Sequence, residues 1–196
     1  MERMKCVVVA CAAAVGLAAG AFADTINLAT VTKPTVAKNG DVIKGTMVGG
    51  KKITIAKGAK VTLKDVKIND KFDYADAGLY AGITCEGNAT IVLEGENVVN
   101  SLEYDYPGIF VPKGSTLRIE GFGRLSVQGL GNAAGIGGAY QMDCGNIVIA
   151  GGTIEATGTG NVAEYPLAVD DPDGITIIAE EYNPNRFFRI RVDVAP

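Results

Sequence analysis

Gly82–Gly95 reads GITCEGNATIVLEG, Gly108–Gly121 reads GIFVPKGSTLRIEG and Gly135–Gly151 reads GIGGAYQMDCGNIVIAG. The openings of these three phrases lie 26 and 27 residues apart (108 − 82 and 135 − 108). A near-constant period in this range is the mark of a protein built by stacking one structural unit. Inside and around the phrases, apolar residues alternate with polar ones over short spans: Ile53 and Ile55, Val61 and Leu63, Ile91 and Leu93, Leu117 and Ile119, Leu125 and Val127, Ile147 and Ile149. Period two denotes strands with one buried face. The spans end at turn-forming pairs such as Lys57-Gly58, Glu86-Gly87, Lys113-Gly114 and Cys144-Gly145, and 26 glycines in 196 residues leave little room for helices.

Three short strands and three corners per repeat describe an all-β, right-handed parallel β-helix. A sandwich would pair its strands as hairpins and has no need to repeat a phrase. The leucine and asparagine ladder of leucine-rich repeats is missing. The sequence predicts a solenoid of about four coils over 53–160, with Ile91, Leu117 and Ile147 stacked as one aliphatic column. An N-terminal cap is expected over 24–52, and a C-terminal coil and capping hairpin over 161–196. In that hairpin, Ile175–Glu181 and Arg186–Val194 flank the turn Tyr182–Asn185, and Phe188, Ile190, Val192 and Val194 alternate with charged residues.

Residues 1–23 read as a secretory signal: Arg3 and Lys5, then an apolar run from Val7 to Phe22, then Ala21-Phe22-Ala23 as a small-x-small cleavage site. The run is short of the roughly 20 residues that span a bilayer. The expected address is therefore secreted, periplasmic or cell-surface, with no membrane span after cleavage. Cleavage before Asp24 removes two bases and one acid and moves the net charge from −4 to −5. With no basic run to neutralise phosphates, nucleic acid is not an expected partner. Histidine and tryptophan are absent, which removes the commonest catalytic base and metal ligand.

Cys85 and Cys144 remain after cleavage, and an exported chain invites a disulfide between them. Equivalent corners two coils apart would be separated by about 9.6 Å, beyond the about 4.4–6.8 Å that a bridge tolerates. The third repeat, however, carries three extra residues before Cys144 that could lean back; two separate thiols are the alternative.

The stretch Ala134–Gly158, AGIGGAYQMDCGNIVIAGGTIEATG, with the two earlier phrases, resembles the repeats of secreted bacterial β-helix proteins described as carbohydrate-binding domain-containing. The resemblance covers about 53–158. It implies a pectate-lyase-like solenoid and a glycan ligand. In that group the AGIGG phrase recurs in later coils, whereas here Asn161–Asp173 replaces it, so the array is short.

Tyrosines and acids gather between the strands: Asp70, Asp73, Tyr74, Asp76 and Tyr80, then Glu103, Tyr104, Asp105 and Tyr106, then Tyr140 and Asp143. On equivalent corners they would form one edge. Phenol rings suit the apolar faces of sugars and carboxylates accept hydroxyl hydrogens, so Tyr74, Tyr80, Tyr104, Tyr106 and Tyr140 are the candidate ligand-binding residues. Equally, the rings could cover a corner and the acids solvate it. Asp70, Asp73 and Asp76, spaced by three, are candidate Ca²⁺ ligands, as are Asp170, Asp171 and Asp173; neither group has the ordered spacing of an EF-hand loop. No other cofactor is indicated.

The expected function is an exported, non-catalytic module that binds polysaccharide or surface glycan or mediates surface interactions, with no catalytic residue assigned. One alternative is a polysaccharide lyase or glycoside hydrolase, drawing on Arg118, Arg124, Glu94, Glu96 and Glu120, with Glu94 and Glu120 one coil apart as the acid pair. A purely structural envelope protein is the other.

Overall fold

In the computed structural model the chain is all-β, with parallel strands stacked as a solenoid of about three turns. The structure describes residues 23–69 and 81–158 with their side chains, and 167–169, 175–182 and 187–194 as backbone strands. The signal segment and Asp70, Asp73, Tyr74, Asp76, Tyr80, Asp170, Asp171 and Asp173 lie outside the described residues. Helix is confined, among the described residues, to one 3-10 turn at Leu28–Thr30, so none is long and apolar enough to cross a membrane.

Three columns of strands enclose one core. The first stacks Thr35–Ala37, Ile53–Ile55, Ile83–Cys85, Ile109–Phe110 and Ile136–Gly137, all parallel. In the second, Ala89–Glu94 lies between Lys60–Ile68 and Thr116–Gly121, which is followed by Asn146–Ile149 and Leu167–Val169. The third stacks Glu96–Asn100, Arg124–Gln128 and Thr153–Gly158. Lys60–Ile68 serves both, since its first half pairs with Ala89–Glu94 and its end with Glu96–Asn100. The bend between those halves is at Asp65, whose φ is 52°.

Strands in register with these columns begin before Ile53. Thr25–Asn27 pairs with Val42–Thr46, which pairs with Lys60–Ile68, and Leu28 is fully buried beneath the core. At the other end, Ile175–Tyr182 and Phe187–Val194 pair antiparallel, and the latter runs antiparallel to Thr153–Gly158.

The aliphatic columns are real, but their register differs from the sequence expectation. Ile91 stacks between Val61 and Ile119, and Ile119 lies beside Ile149, whereas Leu117 stands between Ala89 and Ile147. All these residues are buried. The cause is corner length. Ile83 and Ile109 are 26 residues apart (109 − 83), but Ala89 and Leu117 are 28 apart (117 − 89), so the corner ahead of Thr116 holds two more residues than the one below it. Aligning the phrases on their opening glycines hides that growth. One lap higher the offset rises from 27 at Ile136 (136 − 109) to 30 at Ile147 (147 − 117), the three-residue insertion expected before Cys144.

The opening glycine of each phrase has a steric cause. A Cβ on Gly108 would lie 2.4 Å from Val127 Cγ1 and 2.6 Å from the Val99 carbonyl oxygen, and one on Gly82 would lie 2.4 Å from the Asn100 carbonyl oxygen. Here the chain entering the first column crosses the end of the third at backbone contact distance. Corners are tied from lap to lap by short amide and acid side chains. Asn39 Oδ1 accepts the Lys60 amide at 3.0 Å, Asn88 Oδ1 the Thr116 amide at 2.9 Å and Asp65 Oδ1 the Glu96 amide at 3.1 Å.

Among the described residues, Asn97 is the one amide of this kind in an inward column, below Leu125 and Ile154, and it is 2% exposed. Its Oδ1 accepts the Val66 amide at 3.0 Å, and its Nδ2 donates to the Glu94 and Arg124 carbonyls at 3.0 and 3.1 Å. One side chain thus satisfies the backbone of three successive laps at the bend.

Candidate functional site

The tyrosines meet where the 101–107 and 138–143 loops converge. Tyr104 and Tyr106 follow the third column and precede the first, while Tyr140 and Asp143 follow the first and precede the second. They are therefore not on equivalent corners, which corrects the expectation of one stacked edge. The loops that carry Tyr104 and Tyr140 are brought together because the enlarged loop after Ile136–Gly137 folds back onto Asp105. The Tyr140 amide donates to the Asp105 carbonyl at 2.9 Å.

Asp105 organises the site. Its φ of 64° lies in the left-handed region that aspartate tolerates better than most residues. Its Oδ1 accepts the Asn132 amide at 2.8 Å and Asn132 Nδ2 at 3.1 Å, tying its loop to the corner one lap above. That carboxylate ties two laps together. Glu103 behaves alike: its Oε1 accepts the Tyr104 amide at 3.0 Å. A Cβ on Gly131 would stand 2.8 Å from Tyr104 Cε1, so the absence of a side chain there makes room for the ring.

These loops expose several large apolar side chains. Tyr104 is 67% exposed, Tyr140 45%, Met142 56% and Leu130 37%, with Tyr106 half-buried. Sequence reasoning missed Leu130 and Met142, because neither recurs in the repeat; the only signal was Leu130 between Gly129 and Gly131 in a loop otherwise free of large apolar residues.

The acids and bases of the outer faces are paired. Glu120 meets Lys60 at 2.6 Å and Arg118 at 3.1 Å, Glu94 meets Lys64 at 2.9 Å, and Arg124 meets Glu96 at 3.6 Å. Lys60 above all, and then Arg118, hold the Glu120 carboxyl below its usual range. A general acid needs the opposite shift. Glu120 lies over Val92 rather than over Glu94, so the two acids are diagonal neighbours on a salt-bridged face.

Cys85 and Cys144 are separate thiols. Cys85 ends an inward-facing strand at 1% exposure, and burial pushes its thiol up to about 12. Cys144 lies two laps on, bridged to Pro112 of the intervening lap. The extra residues before it lean toward Asp105 instead of reaching down to Cys85. Among the described residues no group of three acids or cysteines is placed to hold a metal ion. No protein-family model, curated protein or solved structure matches this chain.

Proposed function

We propose that this chain is an exported, non-catalytic β-helix module that binds carbohydrate through the tyrosine patch. In this reading the solenoid is right-handed, as nearly all parallel crossovers are, and winds about four coils. Residues 24–52 and the C-terminal hairpin cover its ends, protecting strand edges from pairing with other chains.

The observation that supports the reading is that two exposed tyrosines stand on loops tied to each other by hydrogen bonds. Tyr104 and Tyr140 belong to different loops, yet the Tyr140–Asp105 backbone bond and the Asp105–Asn132 clamp join those loops to each other and to the lap above. A loop backbone ordered in advance loses less conformational freedom when a sugar face settles on its rings. A lyase or glycosidase on this scaffold, or a purely structural envelope role, remains a competing reading; the first would release unsaturated or reducing sugar ends, the second would bind no polymer.

Affinity electrophoresis against neutral and acidic polysaccharides tests the proposal. At least one polymer should retard the protein, and Tyr104→Ala and Tyr140→Ala should each weaken that interaction about tenfold, equivalent to about 1.4 kcal/mol. Retardation by no polymer, or unchanged retardation in both variants, would remove the glycan claim.

A further inference from the structure

Asp41 is the one buried carboxylate among the described residues, at 4% exposure, and neither the repeat nor the tyrosine patch explains it. It closes the corner between Thr35–Ala37 and Val42–Thr46. Its Oδ2 accepts the Lys38 amide of its own turn at 2.7 Å, and its Oδ1 accepts the Asp24 amide, 17 residues away, at 3.0 Å. Both partners are neutral backbone groups. No lysine or arginine among the described residues pairs with it; the ion pairs lie on Glu94, Glu96, Glu120 and Asp143. A carboxylate taken out of water without an opposite charge is costly.

Asp24 can supply that charge. Its nitrogen is the atom that a cut after Ala23 turns into the first α-amine of the mature chain. In the uncut chain this nitrogen has one N–H to give. After the cut it is an ammonium with three, and a charged donor bonds a carboxylate about twice as strongly as a neutral amide does. The nitrogen is also held in place from its other side: the Asp24 carbonyl accepts the Val42 amide at 2.9 Å, and Thr25–Asn27 runs in register with Val42–Asn27's partner strand Val42–Thr46. Ala23 belongs to no strand, so the cut takes no paired residue from the described fold.

We propose that Asp41 is the receptor for the chain's own processed N-terminus, so that cleavage between Ala23 and Asp24 creates an α-ammonium that pairs with the buried carboxylate and fastens the first strand to the solenoid. The step is a hydrolysis catalysed by the exporting cell's leader peptidase. Water adds across the Ala23–Asp24 peptide bond, Ala23 leaves with the new carboxylate, and the Asp24 amine takes up the proton. A chain that begins earlier keeps a neutral amide opposite Asp41 and carries its terminal charge elsewhere. This inference rests on the export reading and adds to it a structural use for the cut.

Expression of the full chain in a bacterium with a periplasm, followed by mass spectrometry of the exported protein, should find Asp24 at the N-terminus. Chains beginning at Asp24 and at Ala21, each with and without Asp41→Asn, should then be released from a fusion partner and melted. The Asp24 chain should melt about 4 °C above the Ala21 chain, and Asp41→Asn should abolish that difference. A second measurement stands even where Asp41→Asn does not fold. At pH 7 the α-amine of the folded Asp24 chain should react with an acylating reagent about tenfold more slowly than in urea, because a paired ammonium gives up its proton less readily. An exported protein that begins at another residue, equal melting temperatures, or equal labelling rates would overturn the pairing and leave export standing. A chain neither cut nor exported would overturn the export reading as well.

Discussion

Asn97→Ala is expected to destabilise the protein by about 3–5 kcal/mol, a large effect for a single polar substitution. Each buried backbone group left without its partner costs about 1–3 kcal/mol, and this change strands three of them: the Val66 amide and the Glu94 and Arg124 carbonyls. Solvent is kept from the Val66 amide, since that bond is buried and Asn97 is 2% exposed, whereas the bonds to the Glu94 and Arg124 carbonyls are part-buried. Asn97→Leu matches the shape but strands the same three groups, so it should lie close to the alanine variant. Asn97→Asp separates shape from hydrogen bonding. The new carboxylate still accepts from Val66 but faces two carbonyl oxygens, which raises its pKa above the unfolded value. Its penalty should therefore be greatest at neutral pH and shrink as pH falls through the raised pKa and the proton supplies one donor. Urea unfolding at several pH values measures all three variants. An alanine variant within about 1 kcal/mol of wild type would mean that the bend is not held by this side chain.

Gly108→Ala should cost about 3 kcal/mol, at the upper end of the usual range for overpacking, and lower the melting temperature by about 6–12 °C for a chain of this size. The added methyl group would lie 2.6 Å from the Val99 carbonyl oxygen and 3.0 Å from that of Gln128, both backbone atoms that cannot rotate away, and 2.4 Å from Val127 Cγ1. Relief requires the lap to separate from its neighbour. Gly114→Asn is the comparison. Gly114 has a φ of 77°, and a Cβ there would have no other atom within 4 Å, so an asparagine, which tolerates left-handed backbone, should be nearly neutral. Calorimetry showing equal losses at the two positions would mean that backbone conformation, not close approach, fixes the repeat glycine.

These two residues also show where sequence reading reaches and where it stops. Gly108 was visible, because lap crossing recurs at Gly82 and Gly135 and leaves the same residue each time. The inward strands were visible for a related reason: period two is a property of each strand alone, independent of its neighbours. Register was not, since it depends on how many residues each corner absorbs, and the corners between Cys85 and Asn146 grow from lap to lap while their flanking phrases stay alike. Asn97 was illegible because it occurs once, in the place where its neighbours above carry Leu125 and Ile154.

The tyrosine patch was half legible. Tyr104, Tyr106 and Tyr140 stood out by composition, and the insertion before Cys144 was visible in the repeat, but the direction in which it folds, onto Asp105, was not. Asp105, readable from the sequence either as an acceptor for sugar hydroxyls or as a solvated corner acid, bonds to Asn132 of the next lap.

Methyl- and Hα-resolved NOE spectroscopy on protein labelled at isoleucine and leucine tests the winding of the chain most directly, on which the placement of the tyrosine loops depends. The account predicts a ladder of contacts from Ile91 to Ile119 to Ile149, with a neighbouring one from Leu117 to Ile147, and no close Hα–Hα contacts between these strands. Strong Hα–Hα contacts across them, the signature of antiparallel pairing, or the absence of any Ile91–Ile119 contact, would contradict it.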